Sequence, residues 1–312
     1  MTINVLSGRF SKGFIGLAGG VLALAGIASA ETVVVAPGQM GSWSFSTVQV
    51  SPVDGSYVPC TPSTGVCGSG SLDYGPPAPG APLLGVGSAE LQTGPGGGDG
   101  EAKIDSSALN GDSLGALTSL SYSAYDVTNN GQQFPYLKLY VTWDVGQTQE
   151  SDALYFEPPY QTPNTGSPDP DLPNQATQAD TWQTWNALAG GWYDDDGKCN
   201  PGTSEAPSKQ GVCSLEDLVS LLGVASINDI TIDGTIAPDG DGLSLRVGGS
   251  EPADDYDAYV DNVTLGVSGT DTTYDFEPVV SASTPEPGTI ALCGTGLLLL
   301  AAARRRNVWG GR

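Results

Sequence analysis

Histidine is absent from all 312 residues of the chain. Its absence removes Ser-His-Asp and Cys-His catalysis in their usual form, together with histidine-ligated zinc, iron and copper sites. Basic residues are scarce as well: 11 Lys and Arg stand against 35 Asp and Glu, for a formal net charge of -24. So acidic a surface repels phosphate backbones and anionic lipid heads, which argues against nucleic-acid binding and charge-driven membrane binding and favours divalent cations. No acidic residue precedes Glu31, and six of the 11 basic ones (Arg9, Lys12, Arg304, Arg305, Arg306, Arg312) lie in the two ends. The stretch 31–283 keeps 34 acids against Lys103, Lys138, Lys198, Lys209 and Arg246, and 34 minus 5 leaves 29 net negative charges. An apolar content of 39% with 8% aromatics still suffices for a packed core. The chain has no Gly-x-Ser-x-Gly element, phosphate-binding glycine loop, dinucleotide fingerprint or long internal repeat.

The two ends read as addresses and the middle as the protein. Arg9 and Lys12 precede an apolar run from Phe14 to Ala28, and Ala28-Ser29-Ala30 supplies the small-x-small pattern of a signal-peptidase site. Residues 1–30 are therefore expected to be a signal peptide cut after Ala30. At the other end Pro285-Glu286-Pro287 leads into an apolar stretch, Gly288 to Ala303, closed by Arg304, Arg305 and Arg306. Its 16 residues barely reach the length of a transmembrane helix, and the arginines would stay on the cytoplasmic side, leaving the middle outside. This tripartite tail, 284–312, resembles the PEP-CTERM sorting signal. The resemblance implies recognition by an exosortase, cleavage near Pro-Glu-Pro, and release or attachment at the envelope of a Gram-negative bacterium that makes exopolysaccharide. Membrane contact is then expected only through the C-terminal helix before cleavage.

Five cysteines are present, and setting aside Cys293 in the tail leaves an even set, Cys60, Cys67, Cys199 and Cys213. An even count suits an oxidising compartment. Four cysteines allow three connectivities; each neighbouring pair brackets a turn-rich segment, so local disulfides Cys60–Cys67 and Cys199–Cys213 are the economical expectation.

Pro76 to Pro82, Gly94 to Gly100 and Tyr160 to Asn174 read as loops. Between such breaks the hydrophobic period is two. From Leu137 to Val145 every odd position is apolar, which is a half-buried strand, and Leu243 to Val247 and Leu120 to Ala124 alternate likewise. Trp43 to Ser46, Val33 to Ala36, Ser88 to Gln92, Ala153 to Glu157 and Thr272 to Phe276 are further candidates. One short helix is expected after Ser214, with Asp217 completing a capping box and Gly223 ending it. The sum is an all-β chain, an antiparallel β-sandwich of jelly-roll type over 31–283. Tyr259 to Gly266 followed by Tyr274 to Glu277 resemble the closing strands of carbohydrate-binding-module sandwiches.

Alternation along Asp257 to Val267 places Asp261 on the side of Val263 and Leu265. A carboxylate there needs hydrogen bonds or a cation, and in a chain so poor in lysine and arginine calcium is the natural partner, with Asp275 as a second ligand and Glu277 or Glu90 as others. Capping of a turn is the competing role for Asp261. Asp194-Asp195-Asp196-Gly197 and Asp239-Gly240-Asp241-Gly242 also gather carboxylates, but neither completes an EF-hand loop, so both read as solvated turns. Trp182, Trp185, Trp192 and Tyr193 fall in one short segment. Such rings serve either as a platform for the apolar faces of sugars or as packing between sheets, and Tyr136 and Tyr140, on the polar side of their strand, would extend a platform. Glu150-Ser151-Asp152 lacks the third acid of a jelly-roll glycosidase strand.

The expected function is accordingly a noncatalytic, exported sandwich of the envelope or extracellular matrix, processed by signal peptidase and exosortase and binding structural calcium and exopolysaccharide glycan. A secreted glycan-active hydrolase and a self-associating adhesin are the alternatives.

Overall fold

A computed structural model describes residues 30–50, 57–59, 67–76, 83–93, 100–127, 133–161, 172, 175–194, 197–199, 211–234, 242–248 and 256–279. The expected signal peptide, the expected sorting tail with Pro285, Glu286, Pro287 and Arg304 to Arg306, Cys60, and the Asp239–Asp241 stretch lie outside the described residues. Among the described residues no helix is long and apolar enough to cross a membrane.

The strands are β1 (Glu31–Val35), β2 (Trp43–Val50), β3 (Tyr57–Pro59), β4 (Ser69–Asp73), β5 (Ser88–Gln92), β6 (Gly100–Ser106), β7 (Leu117–Asp126) and β8 (Tyr136–Val145), then β9 (Thr148–Phe156), β10 (Gln183–Asn186), β11 (Tyr193–Asp194), β12 (Thr231–Ile232), β13 (Leu243–Val247), β14 (Asp257–Val267) and β15 (Thr270–Phe276). One α-helix, α1 (Leu215–Leu221), follows Ser214, whose hydroxyl accepts the Asp217 amide as a cap; Leu215, Leu218 and Val219 turn inward, and Gly223 at φ 79° follows the last turn.

The strands form two sheets, as the alternating pattern requires. The larger runs β11-β9-β8-β13-β6-β2-β3, with β12 also beside β8. In the smaller, β14 is the spine. One of its edges pairs with β7, and β7 with β10; its other edge pairs first with β5, which carries β4, and then with β15, which carries β1. Among the named strands the pairing is antiparallel except where β1 runs parallel to β15 from Glu31↔Thr272 to Val35↔Phe276, and an isolated bridge, Ser106↔Gly242, is parallel too.

The inner faces meet in one core. Leu137, Leu139, Val141, Leu154, Leu243, Leu245 and Ile104 come from the larger sheet, and Leu120, Ala124, Leu91, Val260, Val263 and Phe276 from the smaller. Trp43 stands edge-on to Tyr274 and Phe276, with ring centroids 5.2 and 5.1 Å away.

Cys199 and Cys213 form a disulfide, with Cα atoms 5.7 Å apart, across a sequence separation of 14. Cys67 is disulfide-bonded as well. The Cys199–Cys213 link ties the start of α1 to the Trp192 backbone, whose N–H and C=O pair with those of Cys213. Closing a loop of this length stabilises by about 3 kcal/mol in the chain-entropy model. Replacing both cysteines by serine is expected to lower the unfolding free energy by about that amount, read from urea midpoints of the two proteins.

Candidate functional site

Two clusters and one groove stand outside the inter-sheet core. The first cluster is acidic and comes from a break in a strand. Alternation does not run unbroken along β14: Asn262 has φ 53°, and the pairing with β7 shifts between Asp261 and Thr264. Ala258 and Val260 face the core before this bulge, Val263 and Leu265 after it. The bulge therefore reverses the phase, and Asp261 points with Tyr259 and Ser123 to the outer side, not with Val263 as simple alternation demands. It is nevertheless fully buried, because the segment Leu83–Gly87 lies over it.

The bulge marks the place where the edge of β14 passes from β5 to β15, so backbone amides there lack ladder partners. Asp261 supplies them: Oδ1 accepts the Phe276 N–H at 3.1 Å and Oδ2 that of Leu84 at 3.2 Å. Glu277, 1% exposed, accepts the Val86 N–H through Oε1 at 2.7 Å. Asp275 is 9% exposed and stands beside both. Its Oδ1 and the Oε2 of Glu277 are buried without a hydrogen-bond partner. Burial pushes Asp261 up to about 7, against the pull of its backbone donors, and burial together with Glu277 pushes Asp275 up to about 6. Gly85, at φ 57°, makes the close approach possible: a Cβ there would fall on the Glu277 carboxylate. Glu90 is not part of this knot. It accepts the Tyr259 hydroxyl at 2.8 Å farther along β14.

Among the described residues no three acidic, Cys or His side chains by themselves form a metal cage.

The second cluster covers the outer face of the larger sheet. Register places Ser46, Lys103, Arg246 and Tyr136 side by side across β2, β6, β13 and β8. A neighbouring row runs Asp105, Ser244, Lys138, Tyr155 and Tyr193 across β6, β13, β8, β9 and β11. Three of the five cations of 31–283 thus share this face, and they are recessed: Arg246 is 1% exposed, Lys103 2% and Lys138 5%. One polar chain joins them. Arg246 Nη1 donates to Glu101 at 3.1 Å and its Nε to Ser244 at 2.9 Å; Ser244 and Ser46 each donate to Asp105 at 2.6 Å; Lys103 lies 3.4 Å from the same carboxylate. Lys138 sits over the rings of Tyr140 and Tyr155 at 4.5 and 5.0 Å. Tyr155 stacks on Tyr193 at 5.1 Å, and Tyr160 meets Tyr193 edge-on at 6.0 Å. Tyr136, Tyr155 and Tyr160 stay half-exposed, so the face has an ionic floor and a tyrosine rim.

At that rim the Tyr193 hydroxyl donates to Glu157 Oε1. Burial pushes Glu157 up to about 7, although this hydrogen bond pulls it down. The fold therefore favours the neutral acid, and its contribution to stability is full below about 4.5 and is lost as pH rises through about 7. Glu157→Gln is expected to remove that loss, so thermal unfolding at pH 5 and pH 8 should differ less in the variant than in the parent, by on the order of 2 kcal/mol.

The tryptophan segment divides. Trp185 and Trp192 are 1% and 0% exposed and belong to the core, where Trp185 packs on Phe134 at 5.3 Å and Trp192 on Phe156 at 5.8 Å. Neither ring presents a face to a sugar. Trp182 is half-buried against Tyr125, and Tyr193 alone of the four reaches the tyrosine rim. The turn at Asp194 is not solvated: Asp194 is buried, accepts the Lys198 N–H at 2.7 Å and lies 3.6 Å from its ammonium.

The groove lies on the outer face of the smaller sheet, above β7 and β10, with a volume of about 430 Å³.

No family model matches the chain. No curated protein matches it either. Among solved structures it is similar to a family 11 carbohydrate-binding module from Clostridium thermocellum, in complex with a beta-1,3-1,4-mixed-linked tetrasaccharide, at a TM-score of 0.33 and 11% identity over 73% of this chain and 89% of that one. A second similar structure concerns the promiscuous specificity of carbohydrate-binding modules from the β-sandwich superfamily, at a TM-score of 0.29 and 9% identity over 73% of this chain and 58% of that one. Overlap this low says nothing about the ligand of this chain.

Proposed function

We propose that this chain is an exported, noncatalytic β-sandwich of the bacterial envelope or exopolysaccharide matrix, which binds glycan on the outer face of its larger sheet and holds calcium at the Asp261, Asp275 and Glu277 knot. The observation that carries the glycan reading is the ionic floor with its tyrosine rim. A sugar offers hydroxyls and apolar C–H faces together, and polar hydrogen-bonding groups beside aromatic rings match both. This face gathers Arg246, Lys103, Glu101 and Asp105 next to Tyr136, Tyr155 and Tyr160, on the side away from the core.

Calcium is supported by two carboxylate oxygens, Asp275 Oδ1 and Glu277 Oε2, that are buried without a hydrogen-bond partner. A hard divalent ion would neutralise Asp275 and Glu277 and take oxygens from Asp261, and the site is rich in the oxygen donors calcium prefers. Export is supported by the N-terminal pattern, by the Pro-Glu-Pro tail with exosortase as its processing partner, and by a disulfide of the kind that persists in oxidising compartments.

Tyr155→Ala is expected to weaken binding to the responsive glycans about tenfold or more on an array or in affinity electrophoresis, with the melting temperature little changed. Absence of binding by the parent to any glycan, the native exopolysaccharide included, would overturn the reading. The hydrolase alternative has one feature in its favour, the raised pKa of Glu157 at the rim. Reducing-sugar release that disappears in Glu157→Gln would establish it.

A further inference from the structure

The smaller sheet turns outward a face of a different chemistry. Register aligns Thr32, Thr273, Thr264, Ser121 and Asn186 across β1, β15, β14, β7 and β10, five strands without a charge in the row. The groove cut into this face is lined by Thr118, Ser119, Ser121, Thr184, Asn186 and Leu188, among others, and among the described residues no charged side chain lines it. Its walls are fixed from behind. Thr184 bonds Ser123 through their hydroxyls at 2.8 Å, and Ser123 accepts the Asn262 amide at 3.3 Å. Asn186 accepts the Ala189 N–H at 3.2 Å through its side-chain oxygen, while Gln175 pairs with its backbone. Gly266 keeps the strands close: a Cβ there would fall on the Asp271 carboxylate and stand 2.8 Å from Ser119.

We infer that this groove is a second saccharide site, back to back with the tyrosine face, so that one domain bridges two glycan chains. The bridging rests on the glycan reading of the tyrosine face; the groove itself does not. Hydroxyl and amide side chains with a leucine beside them suit the polar edges and C–H face of a neutral sugar ring. An anionic sugar finds no cation in the lining and meets a chain of net charge -24.

The test is calorimetric titration of the purified protein with neutral oligosaccharides (gluco-, xylo-, manno- and chito-series), alongside precipitation of the matching polysaccharide. Two sites per chain are expected, with Ser121→Leu/Thr184→Leu and Tyr155→Ala each leaving one and each abolishing precipitation. Asn186→Ala, a milder change, should weaken only the groove site, about tenfold. One site in the parent that is untouched by both groove variants overturns the inference and leaves the tyrosine face standing. One site removed by the groove variants but not by Tyr155→Ala upholds the groove as a saccharide site and overturns the bridging together with the tyrosine-face reading. No binding at all overturns both.

Discussion

Trp185→Ala is expected to destabilise the protein by about 3–5 kcal/mol, the range for removing a buried aromatic side chain. That is a large share of the roughly 5–15 kcal/mol that holds a domain folded. Trp185 sits on β10 at the margin of the smaller sheet, 1% exposed, with Phe134 edge-on at 5.3 Å. Its indole is thus the plug between two sheets. Glycan binding at the tyrosine face by the folded fraction should not change, because Tyr136, Tyr155 and Tyr193 belong to the larger sheet and Trp185 to the smaller. Measured together, a fall in urea midpoint with unaltered affinity would confirm a packing role; an unaltered midpoint with lost affinity would make Trp185 a sugar platform.

Calcium is expected to raise the melting temperature by roughly 5–10 °C over the chelated protein. At a free concentration a hundred times the dissociation constant, binding to the native state alone stabilises by about 2.7 kcal/mol, and each kcal/mol moves the midpoint of a domain this large by about 2–4 °C. The response should vanish in Asp275→Asn/Glu277→Gln, whose chelated form should itself melt above the chelated parent, since two neighbouring carboxylates, each with one buried oxygen lacking a donor, are replaced by neutral amides. Scanning calorimetry with calcium, magnesium and chelator measures both effects. A midpoint indifferent to calcium in the parent would remove the ion from the knot.

Much of the sandwich was legible because period two is a local property. Leu137 to Val145 and Leu243 to Val247 alternate in the sequence and form β8 and β13 with the expected residues inward, except Val145, which is 55% exposed at the strand's end. The helix was legible for the same reason, since Ser214 and Asp217 are three residues apart and cap it directly. β6 escaped notice although Glu101-Ala102-Lys103-Ile104-Asp105 alternates, because its inward residues are few and small and its outward ones are charged. Those charges make sense only beside Arg246 and Ser244, which come from a strand far along the chain. Asp261 reads from the sequence as a carboxylate on the apolar side and Asp275 as a further calcium ligand, and the structure places the two side by side with Glu277. The direction of Asp261 was misread, since one residue of bulge at Asn262 inverts the phase of everything before it. The Ser and Thr groove carries no signal of its own: single hydroxyls on alternating positions look the same whether they face open water or line a cavity.

The parallel pairing of β1 with β15 has a kinetic meaning. The first strand of the sandwich finds its partner in the last one, so the sheet edge cannot close until nearly the whole chain has emerged. Contacts so distant along the chain make for slow folding, because the intervening loop must be ordered before they form. Under the export proposed above, amino terminus first, such delay would be protective. The leading strand would stay unpaired and threadable throughout transit, and the native topology would lock only on the far side of the membrane.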